Sequence, residues 1–328
     1  MVGFRISGWG KHLPSQTITS EKLGVQFGVS EDWIVGRCGI RERRAVGPGE
    51  TTASLAIEAG KRALEKARLQ PSDIAHLIVA TATPEQPSPA TSAFVQHGIG
   101  ITGSAHDVNA ECAGFVYSLV SAIALMGLDP RPILIVGSDT HSLTTSPTDR
   151  DLGILVGDGA GAIVLEPSDD DWLNSWHLGA DGSCTDSLKI PAGGSRMPTT
   201  HETVDQGLHY AEINGNEIYL YAVRHTVKSI KSVLGKANLG AQDIDHFIPH
   251  QANIRIIDSI LKHTGISADR LVTNLDRYGN CASASIPIAL CEALDEDRIQ
   301  HGDRVLLAGF GAGMAFGSVL LNWGGSSR

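Results

Sequence analysis

LEKARLQPSDIAHLI (residues 64–78) has a near copy in LGKANLGAQDIDHFI (residues 234–248), with eight of fifteen positions identical. The offset between the copies is 170 residues (234 minus 64), which indicates an internal duplication. In each copy a helical pattern ends, a polar turn follows, and a short apolar strand begins. The chain therefore contains two copies of one helix–turn–strand unit.

The similarity extends beyond these two stretches. The apolar strands ILIVGSD (133–139) and VLLAGFG (305–311) are each preceded by a helix of small residues and followed by a glycine-rich apolar stretch. Strands that alternate with helices predict an α/β fold, and strands that are apolar throughout predict covered sheet faces. We expect one half at residues 1–170 and the other at residues 171–328, with a functional site where they meet.

Composition argues against several classes of protein. The net charge of −10 disfavours binding to nucleic acid or to an anionic membrane surface, which both need a positive field. No run reaches the roughly 18 apolar residues of a membrane span, and MVGFRISGWG at the N-terminus lacks the apolar stretch of a signal peptide. The five cysteines are irregularly spaced without a CxxC pair, which disfavours a metal site and favours a reducing cytoplasm.

Cys112 is the first candidate for chemistry. It lies in NAECAGFVYSLV at the predicted beginning of a helix, where the helix dipole lowers a thiol pKa and backbone N–H groups can bind an oxyanion. Taken alone, such a residue is also compatible with a buried, inert cysteine. Glu111 opposes thiolate formation, because a neighbouring carboxylate raises a thiol pKa, so we expect its side chain either to point away or to have a role that the sequence does not identify.

His250 and Asn280 are the other two candidates. His250 follows an apolar strand in FIPHQAN, at the strand end where α/β proteins bind ligands, and it takes the place of Ala80 in the first copy. Asn280 lies in YGNCASASIP, in a turn before a small-residue helix, and we align it with Glu111. A structural histidine and ordinary turn chemistry are the alternatives. Cys281 is an alternative nucleophile, which we interpret as a core residue.

Together these motifs resemble the β-ketoacyl-acyl-carrier-protein synthase III family of thiolase-fold condensing enzymes. The resemblance covers nearly the whole chain, and its pieces are specific in their order and spacing: WIVGRCGIRERR (33–44), DVNAECAGF (107–115), PTDR (147–150), GDGAGAIVL (157–165), GNEIYLYAV (215–223), PHQANIRII (249–257), LDRYGNCASASIP (275–287) and GFGAGMAFGS (309–318). The resemblance implies two duplicated halves with pseudo-twofold symmetry, layered α-β-α-β-α. It also implies a homodimer that uses no cofactor or metal.

The resemblance further implies acyl transfer in fatty acid biosynthesis. An acyl group would pass from acyl-coenzyme A to Cys112, and malonyl-acyl carrier protein would then undergo decarboxylative condensation to 3-ketoacyl-acyl carrier protein. His250 and Asn280 would bind the malonyl thioester carbonyl as its enolate forms. The backbone amides of Cys112 and Ala312 would hold the second oxyanion.

Substrate contacts are implied as well. The residues expected to bind coenzyme A and its pantetheine arm are Trp33, Arg37, Arg150, Asn216 and Asn253. Adenine would lie between Trp33 and Arg150. Arg255 and Lys262 would face the acidic acyl carrier protein and supply a local basic patch. Leu220 occupies a position where the family often has a docking lysine, although Arg224 lies one turn further on.

The primer pocket is expected at Ser88, Val156 and Phe310. Where acetyl-selective members of the family have bulky aromatic side chains, this chain has Ser88, on a loop contributed by the partner subunit, and Val156. Smaller walls predict a deeper pocket. We therefore expect a primer larger than acetyl, whether branched, medium-chain or functionalised.

Three other functions stay open on the sequence. An acyltransferase of this fold that forms no carbon–carbon bond would often lack the Cys-His-Asn set, which is intact here. A degradative thiolase would carry a second catalytic cysteine in a glycine context unlike that of Cys281. A non-catalytic acyl-coenzyme A-binding protein would tolerate loss of all three residues.

Overall fold

The computed structural model describes residues 3–325. Its strands are β1 (Gly3–His12), β2 (Gln16–Thr19), β3 (Glu42–Ala45), β4 (His76–Ala80), β5 (Ser104–Val108), β6 (Ile133–Thr140), β7 (Asp158–Ser168), β8 (Leu173–Cys184), β9 (Leu188–Lys189), β10 (Glu212–Ile213), β11 (His246–Pro249), β12 (Arg304–Gly311) and β13 (Gly313–Asn322). Its α-helices are α1 (Ser20–Phe27), α2 (Glu31–Cys38), α3 (Thr52–Ala67), α4 (Thr91–Ile99), α5 (Gly114–Met126), α6 (Arg150–Gly153), α7 (His201–Asp205), α8 (Gly215–Ala237), α9 (Ile254–Thr264), α10 (Leu275–Tyr278) and α11 (Ser285–Asp295). Within the described range, no helix combines the length and the apolar character needed to cross a membrane.

Two sheets form the centre of the molecule. The first has the strand order β1-β7-β6-β4-β5, and the second has the order β11-β12-β13-β8. In each sheet a parallel pair, β4 with β6 or β11 with β12, continues into antiparallel neighbours. The matching order and direction confirm the duplication. A domain boundary at residue 170 stays a prediction, because the two halves share one core.

The helices form three layers around these sheets. Helix α3 packs on β1, β6 and β7, and α8 packs on β8, β12 and β13. Between the sheets lie α5 and α11, which contact strands of both. A single cluster of buried apolar side chains runs through this middle layer, including Phe4, Phe115, Ile286, Val305 and Val319. The layering is therefore α-β-α-β-α, as expected.

Small residues set the distance between α3 and the first sheet. A Cβ atom on Gly8 would lie 2.2 Å from the carbonyl oxygen of Ala63, and one on Gly10 would lie 2.5 Å from that of Ala59. Any larger residue at these β1 positions would push the helix away. The alanine periodicity of α3 and the glycines of β1 thus describe one contact.

Each half has a corner where the chain enters a middle-layer helix through a short 3-10 turn. The turn before α5 begins at Glu111 and the turn before α11 begins at Ala282, and both residues have positive φ angles, 49° and 45°. Asn109 and Asn280 each accept a hydrogen bond from the backbone N–H two residues on. Asn280 therefore matches Asn109, and our alignment of Asn280 with Glu111 is wrong. The copies share a backbone conformation, not a cysteine.

Candidate active site

A cavity of about 1090 Å³ opens where the two halves meet. Its walls include the turn before α5, the segments that follow β6, β11 and β12, and the chain around β9 and β10. Cys112, His250 and Asn280 all line it. The structure thus brings together the three residues that the sequence nominated from two distant parts of the chain.

Cys112 is the second residue of its 3-10 turn and is 8% exposed. Burial raises the pKa of its thiol well above the ordinary value, and the carboxylates of Glu111 and Asp139 raise that pKa further. We expected a lowered thiol pKa, whereas loss of hydration and two nearby carboxylates raise it in this structure. Glu111 also lines the cavity, so the alternative that it has a role of its own stays open.

The backbone after β12 passes close to Cys112. A Cβ atom on Gly311 would lie 2.6 Å from the amide nitrogen of Cys112, so only glycine permits this approach. Ala312 follows directly and lines the same cavity. The two residues expected to hold an oxyanion therefore come from neighbouring pieces of backbone.

His250 directly follows β11 and is 1% exposed. Its ring packs edge-on against Phe310, with 5.1 Å between the ring centroids. Burial, aided by the charge of His141, lowers the pKa of His250 to about 3. The imidazole is therefore neutral at pH 7, and one ring nitrogen can donate a hydrogen bond without carrying a charge.

Asn280 is held by backbone contacts on both sides. Its Oδ1 atom accepts from the N–H of Ala282 at 2.9 Å, and its carbonyl oxygen accepts from the N–H of Gly157 at 2.9 Å. Within residues 3–325 its Nδ2 atom makes no hydrogen bond. The amide is thus oriented by one end and can donate with the other.

Asp139 connects the segment that follows β4 to the corner before α11. It is fully buried, and its Oδ1 atom accepts from the N–H groups of Ala82 at 2.8 Å and Thr83 at 3.0 Å. Its Oδ2 atom accepts from the N–H of Ser283 at 2.9 Å and from the Ser283 hydroxyl. We expected no role for it from the sequence, although a carboxylate at the end of the apolar strand ILIVGSD is a detectable signal.

The residues expected to contact coenzyme A lie at or beside the cavity. Arg37, Asn216 and Asn253 line it. The guanidinium carbons of Arg37 and Arg150 each lie 5.1 Å from the centroid of the Trp33 ring. Three of the five residues are therefore in the cavity wall, and both Arg37 and Arg150 lie against the ring of Trp33.

The residues expected to dock the carrier protein lie on α9. Arg255 is exposed at the first turn of the helix and lines the cavity, and Lys262 is exposed two turns further on. On the neighbouring helix α8, Leu220 is 65% exposed and Arg224 is also exposed. The surface beside the cavity thus carries basic groups around an apolar one.

The primer-pocket residues are divided. Val156 and Phe310 line the cavity. Ser88 does not line it and is exposed on the loop between β4 and α4, so its contribution from a partner subunit stays a prediction.

His141 is a cavity residue that we did not identify from the sequence. It follows β6 and lines the cavity. Its position just after an apolar strand end was the available signal.

In the described part of the chain, no three His, Cys, Asp or Glu side chains are grouped so as to hold a metal ion. The polar groups of the cavity are thiol, imidazole, amide and carboxyl groups. Such a set can form a covalent thioester and stabilise an enolate with neutral donors.

Comparison with known families gives two matches. Residues 106–182 match the model described as 3-oxoacyl-[acyl-carrier-protein (ACP)] synthase III, and residues 234–323 match its C-terminal counterpart. These ranges contain Cys112, His250, Asn280 and Ala312.

Individual relatives extend the likeness over the whole chain. A β-ketoacyl-[acyl-carrier-protein] synthase III from Roseiflexus castenholzii is 43% identical, with 97% of each chain covered. An acetoacetyl CoA synthase, NphT7, from Streptomyces sp. (strain CL190) is 38% identical over 98% of this chain and 99% of that one. The crystal structure of 3-oxoacyl-[acyl-carrier-protein] synthase III from Aquifex aeolicus VF5 matches with a TM-score of 0.90 and 33% identity, covering 98% of this chain and 100% of that one.

Proposed function

This chain belongs to the 3-oxoacyl-[acyl-carrier-protein] synthase III family of thiolase-fold condensing acyltransferases, and we propose that Cys112, His250 and Asn280 carry its reaction. The observation that supports this assignment is their convergence on one cavity at the junction of the halves. Acyl-coenzyme A and malonyl-acyl carrier protein are the proposed substrates, and no cofactor takes part. We also propose that the chain acts as a homodimer.

In the loading step, the sulfur of Cys112 attacks the thioester carbon of an acyl-coenzyme A. A new carbon–sulfur bond forms, the bond to coenzyme A breaks, and the proton of the Cys112 thiol ends on the released coenzyme A thiol. The backbone N–H groups of Cys112 and Ala312 stabilise the oxyanion of the tetrahedral intermediate.

In the condensation step, the bond between C2 of the malonyl group and its carboxylate breaks, and carbon dioxide leaves. The electron pair forms an enolate whose oxygen accepts hydrogen bonds from His250 and Asn280. Carbon C2 then attacks the acyl-Cys112 thioester, a carbon–carbon bond forms, and the Cys112 thiolate leaves and takes a proton from solvent. A neutral His250 suits this role. It donates a hydrogen bond to the enolate oxygen, but it forms no ion pair with the malonyl carboxylate, which has to leave as carbon dioxide.

For the arms of the substrates, we propose that Trp33, Arg37 and Arg150 hold the nucleotide end of coenzyme A. Asn216 and Asn253 would bind pantetheine. The first three residues lie on α2 and α6, and the two asparagines lie at the beginnings of α8 and α9. Both asparagines line the cavity that contains Cys112. Arg255 and Lys262 would attract the acidic carrier protein.

We propose a primer larger than acetyl. The support is the modest size of Val156, which lines the cavity and forms a backbone bridge with Asn280. The ring of Phe310 packs against the ring of His250, and Phe310 also lines the cavity. Ser88 would cover the end of the pocket only from a partner subunit.

A second candidate differs in the carrier of the extender. The exposed Leu220 lies where the family resemblance leads us to expect a docking lysine. The Streptomyces relative is named as an acetoacetyl CoA synthase. Both observations favour malonyl-coenzyme A as an alternative extender at the same catalytic residues.

The test is intact-protein mass spectrometry with a panel of acyl-coenzyme A primers, each assayed with malonyl-acyl carrier protein, with malonyl-coenzyme A, or with neither. We expect an acyl adduct on Cys112 and a 3-oxoacyl product on one of the two carriers. An adduct that passes to an alcohol or amine without elongation would show an acyltransferase that forms no carbon–carbon bond. Absence of any adduct would contradict the proposal and leave a binding protein.

A further inference from the structure

Two polar side chains in the cavity wall have no use in the reaction just described. Glu111 precedes Cys112, and His141 follows β6, and both line the cavity. Within residues 3–325 the Glu111 carboxylate makes no hydrogen bond or ion pair, and the Nε2 atom of His141 is buried without a partner. Buried polar groups without partners are rare in proteins, because each costs free energy unless a ligand or water satisfies it.

The hydrogen bonds around His141 define what its free nitrogen can do. The Thr144 hydroxyl donates to the carbonyl oxygen of His141 at 3.2 Å, so towards the ring it can only accept. The Nδ1 atom of His141, 3.3 Å from that hydroxyl oxygen, therefore carries the proton, and in the neutral ring Nε2 is an acceptor. The cavity wall thus contains a ring nitrogen that has no partner in the described structure, on a residue that borders the same space as Glu111.

Glu111 and His141 are close enough for their charges to interact. His141 lowers the pKa of Glu111, while burial and Asp139 raise it, and burial has the largest effect. Glu111 directly precedes Cys112, and both residues line the cavity, so an acyl group on Cys112 enters a space that Glu111 also borders. A hydrocarbon chain there would leave both groups unsatisfied.

We propose that the primer is an acyl-coenzyme A with a hydroxyl group near its thioester end, which bonds to Glu111 and to Nε2 of His141. A hydroxyl both donates and accepts, so it satisfies the imidazole nitrogen and the carboxyl group in either protonation state. This inference rests on the proposed loading of Cys112 and names the chemical class of the primer. It makes Glu111 and His141 specificity residues, since neither touches the reacting carbonyl.

The experiment compares primers that differ only by replacing a hydroxyl group with a methyl group. We would measure the rate of Cys112 acylation with both enantiomers of 3-hydroxybutanoyl-coenzyme A against 3-methylbutanoyl-coenzyme A. A second pair is 4-hydroxybutanoyl- against pentanoyl-coenzyme A. In at least one pair we expect the hydroxylated primer to load about tenfold faster or more, because its analogue leaves buried polar groups unpaired.

Variants separate recognition of the primer from effects on the thiol. Glu111→Met and His141→Leu should each reduce the hydroxyl-to-methyl rate ratio towards one, whereas Glu65→Met, the same change on the exposed face of α3, should leave it unchanged. The ratio is informative because Glu111→Met also removes a carboxylate that raises the Cys112 pKa, which affects both primers equally.

The outcomes are distinct from those of the proposed function. If methyl and hydroxyl primers load Cys112 at equal rates in both pairs, the inference is overturned while the condensing activity stands. The inference also fails if Glu111→Met and His141→Leu change both rates by the same factor. If no acyl-coenzyme A loads Cys112, the proposed function itself fails.

Discussion

Asn109 and Asn280 accept the same backbone hydrogen bond in the two halves of the molecule, yet their surroundings differ. Asn109 is exposed to solvent, whereas Asn280 lines the cavity. Three residues further on, the contrast reverses. Cys112 faces the cavity, whereas Ser283 is fully buried and donates its hydroxyl to the carbonyl oxygen of Ala80 at 2.8 Å.

The two corners therefore share a backbone and divide the chemistry. The corner before α5 contributes a thiol, and the corner before α11 contributes an amide. The remaining matched positions, Asn109 in the first corner and Ser283 in the second, make hydrogen bonds within the protein. The comparison teaches that duplication provides two turns aimed at one space, and that single side chains then decide which turn reacts and which one binds.

The largest effect is expected from removing the thiol that distinguishes the first corner from the second. Cys112→Ala should reduce acyl loading and condensation by at least about a thousandfold, because the covalent route is lost. Intact-protein mass spectrometry after incubation with acyl-coenzyme A checks this result. Cys281→Ala is the matched control, since Cys281 is also buried and its pKa is also raised well above the ordinary value by burial. An adduct that survives Cys112→Ala and disappears in Cys281→Ala would reverse our assignment.

The next change tests the two asparagines against each other. Asn280→Ala should slow decarboxylative condensation about 10²- to 10³-fold, because one donor to the enolate oxygen is lost. Acyl loading of Cys112 should persist. Asn109→Ala removes the same backbone hydrogen bond from the other corner and should leave condensation unchanged. Equal losses in both variants, measured as rates of 3-oxoacyl product formation, would mean that the bond within the turn matters and the amide donor does not.

The link between the segment after β4 and the corner before α11 can be broken at Asp139. Asp139→Asn should reduce the free energy of unfolding by about 2–4 kcal/mol, because a buried carboxylate that accepts from both halves loses charge and acceptor capacity. Urea denaturation measures the change, and Asp169→Asn provides an exposed control. A variant as stable as the control would show that the corner before α11 does not need this link to the first half.

The most gradual effect, spread over several pH units, concerns the strand ends, where His250 takes the place of Ala80. Burial lowers the pKa of His250 from 6.5 to about 3 in the folded protein, so between these pH values the unfolded chain binds the extra proton. Stability must therefore fall as pH falls below 6.5, by up to about 1.4 kcal/mol per pH unit from this group. His250→Gln should flatten the dependence of the urea midpoint on pH. An unchanged slope would place the folded pKa near its ordinary value.

Much of the architecture could be predicted from the sequence, because it depends on local periodicity. The repeat around Leu64 and Leu234 indicated the duplication, and the apolar strands indicated where Cys112 and His250 would converge. The family resemblance carried by the motifs is confirmed. The roles of the individual residues stay proposals.

The remainder depends on contacts between distant residues. Asp139 joins Ala82 to Ser283, and no spacing rule connects these three positions. The direction of Glu111 depends on a positive φ angle, which the sequence letter E does not suggest. Our alignment of the corners failed for the same reason, since it matched cysteines where the fold matches asparagines.

The placement of α5 between the sheets has a consequence for synthesis of the protein. Gly311, which packs against the backbone of Cys112, follows it by 199 residues (311 minus 112). At about 5–20 residues per second, a ribosome needs roughly 10–40 s to make that stretch. During this interval the apolar side of α5 that later contacts β12 and β13 has no partner. The growing chain is therefore a natural client for chaperones until its last two strands emerge.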